Sequence, residues 1–105
     1  DHQIIAKTVL TACRPKPGCS VKELYYGEVP SSTDWSFGYT FQPNVFMDIS
    51  FQLPEKLDAM EIYQGEVHPY PHPRSRDALT AIARRWGSMV GVGAAEAFQL
   101  VRSLR

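Results

Sequence analysis

Ile5, Val9 and Cys13 recur at i, i+4 and i+8, and Ile4 and Leu10 widen the stripe, so the chain opens on an amphipathic helix from His2 to about Cys13 with one buried face. Pro15 and Gly18 stop it. Val21 to Val29, which includes Tyr25 and Tyr26, is rich in β-formers and short enough for a strand. From Pro30 to Pro43, Ser, Thr, Gly and Pro surround Trp35, Phe37, Tyr39 and Phe41; this is a loop, and a long loop with that many aromatics packs on something. Val45, Met47 and Ile49 then alternate with Phe46, Asp48 and Ser50, the period of a strand with one wetter face. Pro54 suits the first position of a second helix, with Leu57, Met60 and Tyr63 on its apolar side and Gly65 as its end. Val67-His-Pro-Tyr-Pro-His-Pro73 is a stiff loop, because proline removes backbone donors and restricts its neighbours. Ser75 caps a third helix carrying Leu79, Ile82, Ala83 and Trp86, with Arg84 and Arg85 at its negative end and Gly87 as its C-cap. The tail, Gly91 through Ala95-Glu-Ala-Phe98 to Leu104, fits a strand or a short helix, and periodicity leaves both open.

This order of elements belongs to the α/β class, and neither repeats nor a domain boundary interrupt residues 1–105. A chain of 105 residues with 44% hydrophobic content allows one modest domain. Eleven basic residues balance eleven acidic ones, so no net field attracts nucleic acid or an anionic membrane, although Arg74, Arg76, Arg84, Arg85, Arg102 and Arg105 cluster locally. No apolar run approaches the roughly 20 residues that span a bilayer. No signal peptide stands at the visible start, and a cytoplasmic location is expected. Cys13 and Cys19 match neither a zinc ribbon nor a thioredoxin motif; they read as reduced thiols, with an incidental disulfide as the alternative.

Candidate chemistry begins at Asp1-His2. A His in the first turn feels the positive end of the helix dipole, which disfavours imidazolium and keeps the ring in the neutral form that binds a metal. Asp1 can cap the helix and also orient a ligand from behind it. The plain alternative is an N-cap and a solvated first-turn residue. His68 and His72 lie four apart, but in a Pro-rich loop where that spacing does not place both rings on one face. Glu96, among small and aromatic residues, reads as structural, with a partner such as one of the arginines, and a substrate-binding or interface role is the alternative. Asp48 reads as a loop anchor, and the loop around Trp35 as packing rather than sugar stacking.

Taken in order, Asp1-His2 followed by a helix ending in Ala12-Cys-Arg-Pro15, Glu28-Val-Pro-Ser-Ser-Thr33, Pro43-Asn-Val-Phe46 with Asp48-Ile49, Pro71-His-Pro-Arg-Ser75 and Ala95-Glu-Ala-Phe98 resemble the carboxy-terminal half of the PIG-L/LmbE-like deacetylases. These are zinc-dependent enzymes that remove the acetyl group from N-acetylglucosamine units. The resemblance implies the carboxy-terminal portion of a Rossmann-like layered αβα sheet domain, incomplete on its own, with Zn2+ as cofactor and an N-acetylated amino sugar as substrate.

The family's second zinc motif, His-x-Asp-His, ends on Asp1 and His2. The resemblance therefore makes His2 a zinc ligand and gives Asp1 a catalytic role, polarising the His two places upstream that helps stabilise the oxyanion. It also puts Arg74 and Ser75 near the pocket rim, where they could meet a substrate hydroxyl or a neighbouring subunit; capping and salt bridging is the simpler reading. The first motif, Ala-His-Pro-Asp-Asp-Glu, with the other two ligands and the general base, has no counterpart here. Amide hydrolysis needs a metal, a base and an oxyanion donor together, and a catalytic zinc usually has three protein ligands. The isolated chain is expected to be inactive, and to become ordered with the missing amino-terminal half or in a homo-oligomer. The rival expectation is a non-catalytic α/β module that makes contacts between chains through its aromatic and Pro-His loops.

Overall fold

The tail whose pattern fits either strand or helix is the central strand. The computed structural model describes residues 1–63 and 65–105. In chain order the elements are α1 (His2–Ala12), β1 (Glu23–Gly27), β2 (Val45–Asp48), α2 (Leu53–Ile62), α3 (Arg76–Val90) and β3 (Ala95–Ser103). The chain is thus mixed α/β. Its three strands lie in the order β1-β3-β2 and both pairings are antiparallel.

The α3 helix packs on the sheet, and small residues let it come close. Ala83 on α3, Ala94 just before β3, and Ala95 and Ala97 at its start are all buried. Gly87 sits at the tightest point, where an added Cβ would lie 2.6 Å from the Val92 carbonyl oxygen and 2.9 Å from Ala94 Cα. The sequence gives Gly87 the role of C-cap, and the structure assigns that role to Gly91. Gly91 has a φ of 82°, and its N–H donates to the Gly87 carbonyl as a left-handed cap does. Glycine at position 87 therefore serves approach rather than termination. Arg84 and Arg85 consequently lie before the last turn, which contains no basic residue.

Register decides which face of β2 meets the helix. Phe46 pairs with Ala97, and residues directly opposite in an antiparallel pair share a face. Phe46 accordingly lies on the helix side, 6.4 Å from the Trp86 ring, whereas Met47 is 60% exposed. On the other face, Val45 and Phe98 oppose one another, as do Tyr25 and Leu100. None of these four is buried, and among the described residues no helix packs over them.

The first helix forms with nearly the expected bounds but without its expected buried face. No α1 residue is buried, Ile5 is 58% exposed, and Cys13 just beyond the helix is only half-buried. Among the described residues α1 packs on no other helix or strand. The stripe is present and lacks a partner. In α2, Leu53 precedes Pro54, so proline falls one position later than expected; Leu57 is buried, while Tyr63 lies past the helix end, exposed.

Replacing Gly87 with Ala should test the α3 to β3 approach. The new methyl meets backbone, which cannot rotate away, so a loss of about 1–3 kcal/mol is expected in denaturant unfolding of the intact protein. Gly87→Ala with an unchanged midpoint would show that the helix can back off.

Candidate functional site

Asp1 occupies the N-cap of α1, and its carbonyl accepts the Ile5 N–H at 3.0 Å. Its side chain makes no capping hydrogen bond, contrary to the capping expectation. His2 begins the helix, and both residues are exposed. Because α1 stands apart from the other elements, the structure does not bring Asp1 and His2 to Arg74, Ser75 or Glu96.

Those three residues have other partners. Ser75 is buried, and its Oγ accepts the Ala78 N–H at 3.0 Å, the expected cap of α3. The Arg74 guanidinium pairs with Glu66 through Nη1, while its Nε is buried with no hydrogen-bond partner in the protein. Glu96 pairs with Lys56 of α2 at 2.6 Å rather than with an arginine. Arg76 joins Asp58 at 3.0 Å and Glu61 at 2.8 Å, tying the head of α3 to α2. Asp48 anchors its turn as expected: hydrogen bonds from the Ser50 hydroxyl and amide hold its carboxyl below the usual carboxylate range.

The polar centre that sequence reasoning missed is Glu28. It leaves β1 toward the helix side and accepts the Trp86 indole N–H at 3.0 Å. Glu28 is half-buried, and burial pushes its carboxyl above the usual range. The Trp86 hydrogen bond opposes that rise only in part. Glu28, Lys56 and Glu96 rim a cavity of about 120 Å³ whose apolar wall includes Leu79, Ala83 and Ala97. No spacing signal joins Glu28 to Trp86, which are 58 residues apart; the Glu-Val-Pro string is the one local mark. The Glu28 carboxyl keeps its proton to higher pH than an ordinary carboxyl does. Nothing in this arrangement resembles a nucleophile with an adjacent base.

Among the described residues, no three His, Cys, Asp or Glu side chains group so as to hold a metal. His2 would supply one donor, and one donor does not fit a catalytic zinc. Cys13 and Cys19 are free thiols. No helix among the described residues is long and apolar enough to cross a membrane. No family model, curated protein or solved structure matches the chain.

Glu28→Gln separates charge from shape, since the amide oxygen can still accept from Trp86. A carboxyl whose folded pKa is raised contributes stability at pH below its unfolded value and loses it as pH rises through the folded value. The variant lacks this loss, so its Tm relative to the native chain should climb as pH is raised from about 4 to about 7. A constant Tm difference across that window would mean that Glu28 is no more buried than a surface carboxylate.

Proposed function

We propose that this chain is the carboxy-terminal half of a zinc-dependent deacetylase of the PIG-L/LmbE type, acting on an N-acetylated amino sugar. The observation that carries the reading is the ordered set of motifs from Asp1-His2 to Ala95-Glu-Ala-Phe98. Two features support it. Among the described residues helices pack on one face of the sheet only, as in half of a layered αβα domain, and the apolar stripe of α1 faces outward beside the proposed ligand.

In this reading His2 donates one zinc ligand from the first turn of α1. The other two ligands and the base belong to the amino-terminal half, so residues 1–105 alone do not turn over. Zinc, when bound, lowers the pKa of a water and polarises the acetyl carbonyl. Asp1 holds an upstream His in the tautomer and charge state that favour the oxyanion. Arg74 and Ser75 belong to the pocket rim, and a cytoplasmic location is part of the same proposal. A non-catalytic module is the second reading, favoured by Phe37 at 88% and Tyr39 at 76% exposure on the aromatic loop. An upstream reading frame encoding His-Pro-Asp-Asp-Glu, and His-x directly before Asp1, distinguishes the two.

In the intact enzyme, His2→Ala should strip zinc and deacetylation together. Asp1→Asn keeps the shape and loses the charge; it should retain fold and zinc while kcat/KM on an N-acetylglucosamine substrate falls about ten-fold or more. Full zinc occupancy in His2→Ala removes His2 from the site, and unchanged turnover in Asp1→Asn removes the Asp1 carboxylate from the reaction.

The same reading makes residues 1–105 alone a poor folding unit, since a chain of this size has little stability to spare. Expressed by itself it should show no cooperative thermal transition, and should gain one when the amino-terminal half is added. A sharp, high-temperature melt of the isolated piece would contradict the missing-half account.

A further inference from the structure

The Pro-His loop between α2 and α3 carries two histidines that the proposed deacetylase chemistry does not use. Their rings lie 4.4 Å apart and 35° from parallel, and the Trp35 indole meets the His72 ring at 5.2 Å and 80°. His72 Nδ1 accepts the backbone N–H of Arg74 at 3.0 Å. Only a bare ring nitrogen can accept, so that bond fixes His72 as the neutral imidazole with its proton on Nε2. A side-chain acceptor at i taking the N–H of i+2 is the arrangement of an Asx turn, built here with an imidazole in place of an amide.

This tautomer has two consequences. Metal ligation through Nε2 would require the proton to move to Nδ1 and the Arg74 bond to break, so the His68 and His72 pair is not a metal site while the loop is closed. A second proton must enter at Nδ1, turning the acceptor into a donor that faces another donor. The surroundings then repel the new charge. The tilted His68 ring lies against that of His72, and both His68 and the Arg74 guanidinium oppose a positive charge there. Of the carboxylates nearby, Glu66 is engaged by Arg74, Asp34 on the Trp35 turn accepts the Ser31 N–H, and Asp77 lies exposed in the first turn of α3. Partial burial, with His68 and Arg74, holds His72 below the ordinary 6.5.

The bond also sits in a chain of tight turns. His72 N–H donates to the Pro69 carbonyl at 3.1 Å, Ser75 N–H to the His72 carbonyl at 2.9 Å, and Ser75 Oγ caps α3. We propose that His72 is an acid-released clasp: neutral, it pins the Pro-His loop against the Trp35 turn at the head of α3, and protonated, it frees Arg74 and lets residues 67–74 open. The sign follows from linkage. The clasp's contribution is complete above the unfolded histidine value and is lost as pH falls from there through the lower folded value.

The intact protein, labelled with 15N-histidine, tests this between about pH 8 and about pH 5. His72 should show a bare Nδ1 and a protonated Nε2 at the upper end and titrate below the free-histidine value. Hydrogen exchange over residues 67–76, corrected for its intrinsic pH dependence, should speed by about ten-fold at the acid end, as loss of one bond to a newly charged group requires. His72→Asn retains an acceptor that does not titrate and should keep the loop protected at both ends. His72→Phe retains a ring without an acceptor and should exchange fast at both. A proton on Nδ1 in the native protein overturns the proposal even where a variant fails to fold. So does pH-independent exchange, or His72→Asn responding to acid as the native protein does.

Discussion

The close seat of α3 on the first residues of β3 determines where most other groups fall. Gly87, Ala83, Ala94, Ala95 and Ala97 supply almost no side-chain bulk between helix and strand, so the two backbones approach within ordinary van der Waals contact. That depth carries Trp86, the residue before Gly87, to where its ring meets Phe41 at 6.1 Å and Phe46 at 6.4 Å and its N–H reaches Glu28. One indole thereby joins the aromatic loop, β2 and the exit of β1 to a single helix. A bulkier residue at position 87 would raise α3 and move all three contacts together.

Charged pairs add location more than stability. Arg76 with Asp58 and Glu61, and Lys56 with Glu96, tie α2 to α3 and to the central strand, but these side chains are 36–70% exposed. Exposed pairs of this kind contribute about 0–1 kcal/mol each. The small-residue seam, by contrast, cannot be exchanged for anything larger without strain. Glu28 is the exception among the charges: burial makes its ionised form unfavourable, and the Trp86 N–H offsets that only in part. A chain retaining such a group is under a constraint other than maximal stability.

Local signals on the sequence were legible, and tertiary ones were not. The α1 stripe, the Ser75 cap and the stiff Pro-His loop each rest on a few neighbouring residues, and each element forms near its expected bounds. Gly87 misled because a helix-ending glycine and a glycine at a close crossing look the same in one dimension; the second glycine, Gly91, does the capping. The tail left helix and strand open because Ala95 and Ala97 are small for the sake of α3, which removes the β-branched signature of a central strand. Which face of β2 meets the helix was not legible, because alternation gives the period of the strand and not which phase packs on α3. Glu28 with Trp86 and Lys56 with Glu96 were not legible, because they depend on approaches 40 to 58 residues distant in sequence.

The unpartnered surfaces bear on function as well as on folding. Ile4, Ile5 and Val9 on α1 are 40–66% exposed. Covering a Val or Ile side chain completely stabilises by about 1.5–3 kcal/mol; these three are already partly covered, so each stands to gain about half of that, still more than an exposed ion pair contributes. The helix with this unmet demand also carries His2 on its first turn. A segment that packed on the stripe would fix the orientation of α1, and with it the direction in which the His2 ring presents its nitrogen. In the deacetylase reading, assembly of the core and assembly of the zinc ligands are one event, because a ligand on an unseated helix has no defined partner geometry. Metal affinity should then track the packing of Ile5 and Val9, although neither side chain touches the metal.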